Sequence, residues 1–131
     1  MNTAASALSA LLLLALAAPA AANPADTAKG RQLYERNCAA CHGKKGEGRG
    51  TTFPPLYRSD YIKNKPHALA ASITKGIKGP IKVNGKTYDG FMPAIALNDA
   101  DAAAIATYIM TAFDNGGGVI TEKDIKQSRK K

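Results

Sequence analysis

Two stretches of this 131-residue chain repeat apolar residues at the three- and four-residue spacing of an amphipathic helix. The clearest follows Asn98, which has an acid three residues on at Asp101, a pattern typical of helix starts. A run of glycines over 116–118 supplies the stop. The pattern predicts a helix from Asn98 up to these glycines, with regularly spaced residues at Ile105, Tyr108, Ile109 and Ala112.

Two shorter helices are predicted before it. Asp26 or Thr27 can cap a first helix that runs toward Cys38. Pro66 suits the first position of a middle helix, because its missing N–H would have no partner there in any case. Gly76 is the stop of that middle helix.

The segments between these helices break the helical pattern. Glycines alternate over 43–50 and consecutive prolines stand at 54 and 55, so both segments are predicted to be loops. The pair Asn84 and Gly85 favours a two-residue turn, which predicts a small β-hairpin over 81–88.

The first residues differ from this domain. Residues 3–22 carry no charge, contain a leucine core and end in small residues at Ala20 and Ala22, which is typical of a secretory signal. We expect cleavage after Ala22, so that 1–22 is a signal peptide and the mature protein is exported to the periplasm. An uncleaved helical anchor is the alternative, because the uncharged stretch approaches the roughly 20 residues that span a bilayer.

The last residues differ as well. Residues 122–131 contain five basic and two acidic residues and few apolar ones. Such a composition predicts a solvated basic tail. The domain itself is therefore expected to occupy residues 23–121.

The formal net charge of +8 bears on the kind of partner that the protein would bind. Ten basic but only three acidic residues lie between Gly43 and Gly90, so most of the excess is concentrated there. An acidic partner surface would complement this region, whereas a merely soluble surface is the alternative. Nucleic acid is not expected, since the lysines are not interleaved with aromatic residues and no recognition helix accompanies them.

Cys38, Cys41 and His42 form a motif that specifies a cofactor. Two thiols three positions apart can add to the two vinyl groups of one porphyrin, while the adjacent histidine reaches the iron. The motif predicts one haem c, attached through two thioethers, with His42 as an iron ligand. A redox dithiol would need a βαβ scaffold, a structural zinc site would need more ligands, and a simple disulfide would leave His42 unexplained.

A second iron ligand must come from elsewhere in the chain. Met92 is predicted, because it lies in an irregular segment where Gly90 frees the approach and Pro93 stiffens the loop. Met110, within a predicted helix, and His67, a lone histidine, are the alternatives. Two ligands leave iron no open position, which favours electron transfer over catalysis. Without Met92, a haem enzyme or gas sensor with an open sixth site is the alternative.

Taken together, these motifs resemble class I cytochrome c of bacterial respiratory chains over roughly residues 27–129. In that family a glycine and an aromatic residue on the first helix cross the terminal helix, and Gly30 and Tyr34 match them, facing the stretch 107–109. Residues 83–94 are similar to monohaem cytochromes associated with nitrite reductases or terminal oxidases. The resemblance implies an all-α cytochrome c fold, in which three to five short helices wrap one covalently bound haem.

The resemblance also implies a role for a proline. In the family a proline carbonyl holds the ring N–H of the haem-ligating histidine, here His42. Pro54 fits the family spacing to Leu56, and Pro55 is the other candidate.

The function implied by the resemblance is that of a monomeric one-electron carrier, not an enzyme. Its partners would be acidic redox proteins such as a nitrite reductase, a terminal oxidase or a dehydrogenase. A permanent cytochrome subunit of a dehydrogenase is the alternative. Membrane association is expected only if the first 22 residues stay in place.

Overall fold

A computed structural model describes residues 16–18 and 20–131 of the chain. The predicted signal over 1–22 falls mostly outside the described residues, so the signal and its anchor alternative stay predictions. None of the described helices is long and apolar enough to cross a membrane. In chain order the described elements are α1 (Pro24–Asn37), α2 (Ala39–His42), α3 (Pro66–Lys75), β1 (Ile77–Val83), β2 (Lys86–Met92), α4 (Asp99–Ala112) and α5 (Glu122–Lys130).

The predicted fold class, a small helical domain with one hairpin, is confirmed. The hairpin is longer than predicted, since β1 and β2 pair antiparallel from Ile77 opposite Met92 to Val83 opposite Lys86. Its turn is at Asn84 and Gly85, both of which have positive φ as the two-residue turn requires. The residues of β1 alternate between exposed and more buried positions, so one face of the hairpin is turned inward.

Several helix ends lie where the capping residues in the sequence predict them. The Asn98 side chain accepts a hydrogen bond from Asp101 N at 2.8 Å and caps α4. Pro66 begins α3, and Gly76 caps its end. The prediction for the first helix was wrong in its start, because α1 begins at Pro24 and the expected caps lie inside its first turns.

The crossing of α1 and α4 forms the centre of the core. Gly30 lies so close to α4 that an added Cβ would be 2.8 Å from Tyr108 Cβ and would also collide with the Ala104 carbonyl oxygen. Tyr34, one turn further along α1, is fully buried, and its ring lies 5.6 Å from that of Tyr108 and 5.0 Å from that of Phe113. A residue without a side chain is therefore needed where the two helices touch.

α4 ends before the predicted glycines, at Ala112, because Asp114 takes a positive φ of 55° and turns the chain away. The next residue, Asn115, is fully buried. Its side-chain oxygen accepts a hydrogen bond from Ser59 N at 3.0 Å. Its side-chain nitrogen donates to Leu56 O at 2.7 Å and to Ile109 O at 3.2 Å. Asn115 thus ties the loop at 56–59 to the end of α4.

The segment 122–131, predicted to be a solvated basic tail, is exposed at most positions but is folded over Glu122–Lys130 as the helix α5. Thr121 and Asp124 form a capping box at its start, and Ile125 is fully buried. Near its end, Arg129 Nε lies 2.8 Å from Asp99 Oδ1, and Arg129 Nη2 donates to Leu97 O at 2.7 Å. Ile125 is the one apolar residue of α5, and contacts with distant segments hold the helix in place.

Replacing Ile125 with alanine should test how firmly α5 is docked. Loss of a fully buried isoleucine side chain is expected to lower the free energy of unfolding of the haem-loaded protein by about 2–5 kcal/mol. Chemical denaturation followed by far-ultraviolet circular dichroism measures this. The neighbouring exposed Lys126→Ala is the control, expected within about 0.5 kcal/mol of the original protein. Equal stabilities of the two variants would mean that α5 does not pack as described.

Asn115→Ala should be destabilising for a different reason. It leaves the buried Ser59 N–H and Leu56 carbonyl without partners, at about 1–3 kcal/mol for each group. Asn37→Ala is the matched control, because the Asn37 side chain is exposed and bonds only Leu33 O within its own helix. The same denaturation measurement compares them, and a loss no larger than that of the control would contradict the bridging role.

Candidate haem-binding site

An apolar cleft opens on one side of the molecule. The predicted site residues Cys38, Cys41, His42, Pro54 and Met92 all line it. Most other lining residues are apolar, among them Leu56, Ile62, Leu69, Ile73, Ile77, Ile81, Val83, Ile95, Leu97, Ile105 and Ile109.

His42 ends the short helix α2 and is 8% exposed. Its Nδ1 lies 2.9 Å from Pro54 O, and because a carbonyl can only accept, Nδ1 carries the proton and donates. Burial lowers the pKa of His42, and the Pro54 carbonyl opposes this in part, so the ring is neutral. A neutral ring with Nδ1–H occupied presents the lone pair of Nε2, which is the arrangement of a metal-ligating histidine. Of the two candidate prolines, Pro54 makes this hydrogen bond.

Tyr34 ties this segment to the core. Its backbone oxygen accepts from Cys38 N at 2.8 Å, and its hydroxyl donates to Gly43 O at 2.7 Å. Burial raises the pKa of Tyr34, so the hydroxyl keeps its proton and remains a donor. Tyr34 of the α1–α4 crossing therefore holds the Cys38 end through its backbone and the Gly43 end through its side chain.

The two cysteines differ in environment. Cys38 is buried and Cys41 is exposed. Burial, with a smaller contribution from the nearby Cys41, raises the pKa of the Cys38 thiol to about 12. Redox-active dithiols instead have lowered thiol pKa values, so the environment disfavours the dithiol alternative. The described residues contain no group of three or more His, Cys, Asp or Glu side chains that could hold a metal ion.

The three candidates for the second ligand lie in different places. Met92 is the last residue of β2, is partly buried and lines the cleft. Met110 is 1% exposed within the hydrophobic core and does not line the cleft. His67 is exposed in the first turn of α3 and does not line it either. Of the three, Met92 is the one in the same cleft as His42.

The wall of the cleft formed by the hairpin suits a flat group. Gly79 and Gly90 are paired across the two strands and both line the cleft. A Cβ added at Gly79 would meet no atom within 4 Å, and one at Gly90 would be 3.8 Å from its nearest neighbour, Thr52 O. The paired glycines thus leave open space beside the thiols, the imidazole and the thioether. These residues fit the apolar, covalently attached haem that the sequence predicts.

Several residues that shape the site were missed from the sequence. The alternation of Ile77, Gly79, Ile81 and Val83 could have indicated a longer hairpin with one face turned to the cleft. The role of Asn115 carries no comparable signal, because two of its three partners, Ser59 and Leu56, are more than fifty residues away along the chain.

Comparisons with known proteins agree with the geometry. The family model for cytochrome c matches residues 27–113. Cytochrome c-552 of Thermus thermophilus is 31% identical over 114 residues, which cover 79% of this chain and 86% of the relative. Cytochrome c6 of Tetradesmus obliquus is 32% identical over 101 residues, covering 72% of this chain and 96% of the relative. The cbb3-type cytochrome c oxidase subunit CcoP of Azospirillum sp. is 33% identical over 107 residues, covering 75% of this chain but 31% of the relative. The chain therefore belongs to the cytochrome c family, and its cofactor is a covalently bound haem c.

Proposed function

We propose that this chain is a one-electron carrier of the periplasm, with Cys38 and Cys41 as the thioether anchors of its haem and His42 and Met92 as the two iron ligands. The observation that carries the proposal is that an oriented, neutral imidazole and a methionine thioether line one apolar cleft. When bound there, haem supplies a reversible one-electron change between Fe(III) and Fe(II).

The residues around the cleft support transfer of electrons rather than catalysis. Pro54 keeps the proton of His42 on Nδ1, so that Nε2 stays available as a ligand. A thioether opposite an imidazole gives a higher reduction potential than two imidazoles. Apart from Cys38, Cys41 and His42, the polar side chains in the cleft are few, namely Thr52, Ser59, Tyr61, Ser72 and Tyr88, and none is a carboxylate or a lysine that could act as acid or base.

Electrons would enter and leave where the cleft meets the surface. Cys41 is exposed there, and Phe91 is 66% exposed beside Met92. The hairpin also carries the exposed lysines Lys78, Lys82 and Lys86, and Lys78 Nζ lies 5.9 Å from the centre of the Phe91 ring. This charge favours an acidic redox partner such as a nitrite reductase, a terminal oxidase or a dehydrogenase.

The comparisons leave two kinds of carrier to weigh. Cytochromes c-552 and c6 are matched over most of their own length, which favours a free, monomeric carrier. CcoP is matched over 31% of its length, which favours a subunit or domain of a larger oxidase or dehydrogenase. We favour the free carrier, exported through a signal cleaved after Ala22. Copurification of a second redox protein in fixed stoichiometry would support the subunit instead.

Met92→Ala tests the ligand assignment. The variant is expected to lose the weak far-red absorption band of a methionine-ligated ferric haem, and its ferrous form should bind carbon monoxide, because one iron position opens. The control is Met110→Leu, a change of similar volume in the core, which should keep the band and exclude carbon monoxide. Carbon monoxide binding by the unaltered protein would instead favour the gas-sensor or enzyme alternative.

The exposed lysines of the hairpin predict that the rate of electron transfer to an acidic partner depends on salt. Reduction of an acidic redox partner should slow by about tenfold or more as ionic strength rises past ~0.1 M, where the Debye length falls to ~10 Å. Stopped-flow mixing measures the rate. Replacing Lys78, Lys82 and Lys86 with glutamine should remove most of the salt dependence, whereas the same change at Lys123, Lys126 and Lys130 of α5 should leave it. A rate independent of salt in the unaltered protein would contradict electrostatic steering.

A further inference from the structure

The end of α3 lies against the segment that carries Met92. Gly76 follows the last residue of α3, and its N–H donates to Ser72 O at 3.0 Å. Its φ of 72° is in the left-handed region, which turns the chain directly from α3 into β1. The next residue, Ile77, is paired with Met92 across the hairpin.

Gly76 also has almost no space around it. A Cβ built on it would collide with the Met92 carbonyl oxygen and would lie 2.8 Å from Ala94 N and 2.9 Å from Pro93 C. All three atoms belong to the backbone, so no side-chain rotation could relieve the contact. A substituent here would have to push the Met92–Ala94 backbone away from α3.

The Met92 segment has little freedom to yield elsewhere. Pro93 fixes its own φ and stiffens the chain after Met92. Two residues further, Ile95 N donates to Ile73 O of α3 at 2.9 Å. Met92 is thus held from two sides. Its pairing with Ile77 fixes it to β1, and the hydrogen bond from Ile95 N to Ile73 O fixes the following residues to α3. Its backbone position is set by how closely α3 approaches at Gly76.

We propose that Gly76 is a positioning residue for Met92: the absence of a side chain lets α3 seat the Met92–Ala94 backbone so that the thioether reaches into the cleft. The inference rests on the proposed role of Met92 as an iron ligand. Gly76 itself touches neither the cofactor nor the reacting atoms.

A matched pair of variants tests the proposal in the haem-loaded protein. Gly117 has a φ of 68°, and its N–H likewise caps a helix through Met110 O at 3.0 Å, but a Cβ there would meet no atom within 4 Å. Gly76→Ala and Gly117→Ala both place a side chain at a positive φ, and only Gly76→Ala adds the collision.

Binding of carbon monoxide to the ferrous forms provides the readout. Gly76→Ala should raise the carbon monoxide affinity about tenfold or more, because overpacking against rigid backbone weakens the thioether bond. In denaturant, its far-red band should be lost before helical circular dichroism. Gly117→Ala should keep the original affinity, with both signals lost together. Equal behaviour of the two alanine variants would overturn the proposal.

A double variant covers the case in which Gly76→Ala does not fold. Once Met92 is alanine, the Met92–Ala94 segment can shift without breaking a bond to iron, so Gly76→Ala/Met92→Ala should accumulate as haem-loaded protein. The effects of the two changes on the free energy of unfolding should be non-additive. Gly117→Ala/Met92→Ala should be additive. If the Gly76 double variant also fails to accumulate, or if the two changes are additive in both double variants, Gly76 acts only as a helix cap and the proposal is overturned. If Met92→Ala alone leaves the band and ligand binding unchanged, the proposed function has failed rather than this inference.

Discussion

The close crossing of α1 and α4 is the contact on which the rest of the structure depends. Because Gly30 has no side chain, the helices approach closely enough for the Tyr34 ring to pack against Tyr108 and Phe113. Tyr34 then holds Cys38 through its backbone and Gly43 through its hydroxyl. The attachment motif is short and local, but its position relative to the cleft is set by this packing of two helices distant in sequence.

Two walls of the cleft are held in place by different hydrogen bonds. On the histidine side, Asn115 fixes the loop at 56–59 to α4, next to the proline that orients His42. On the methionine side, the hairpin forms the wall, and its tip is joined to Asp60 by a pair of hydrogen bonds with Asn84 at 2.7 and 3.0 Å. The proposed ligands His42 and Met92 line one apolar cleft, and these ties restrain the segments that carry them.

The C-terminal helix extends this frame beyond the region that the family model matches, residues 27–113. α5 packs on α3 and α4, and Arg129 bonds both Asp99 and the carbonyl of Leu97. Leu97 lines the cleft in the segment that leads from Met92 to α4. A helix with one buried apolar residue thereby supports the segment that joins Met92 to α4.

The sequence by itself determined the features that depend on neighbouring residues. These include the thiol and histidine spacing at 38–42, the Asn98 cap, the Pro66 and Gly76 limits of α3 and the Asn84 turn, because capping, φ restriction and covalent reach act over a few residues. Only the tertiary structure decided that 122–131 folds, that Pro54 rather than Pro55 meets His42, and that Met92 rather than Met110 faces the cleft. Each of these depends on which distant segments pack together, so the sequence could rank the candidates at these positions but could not decide between them.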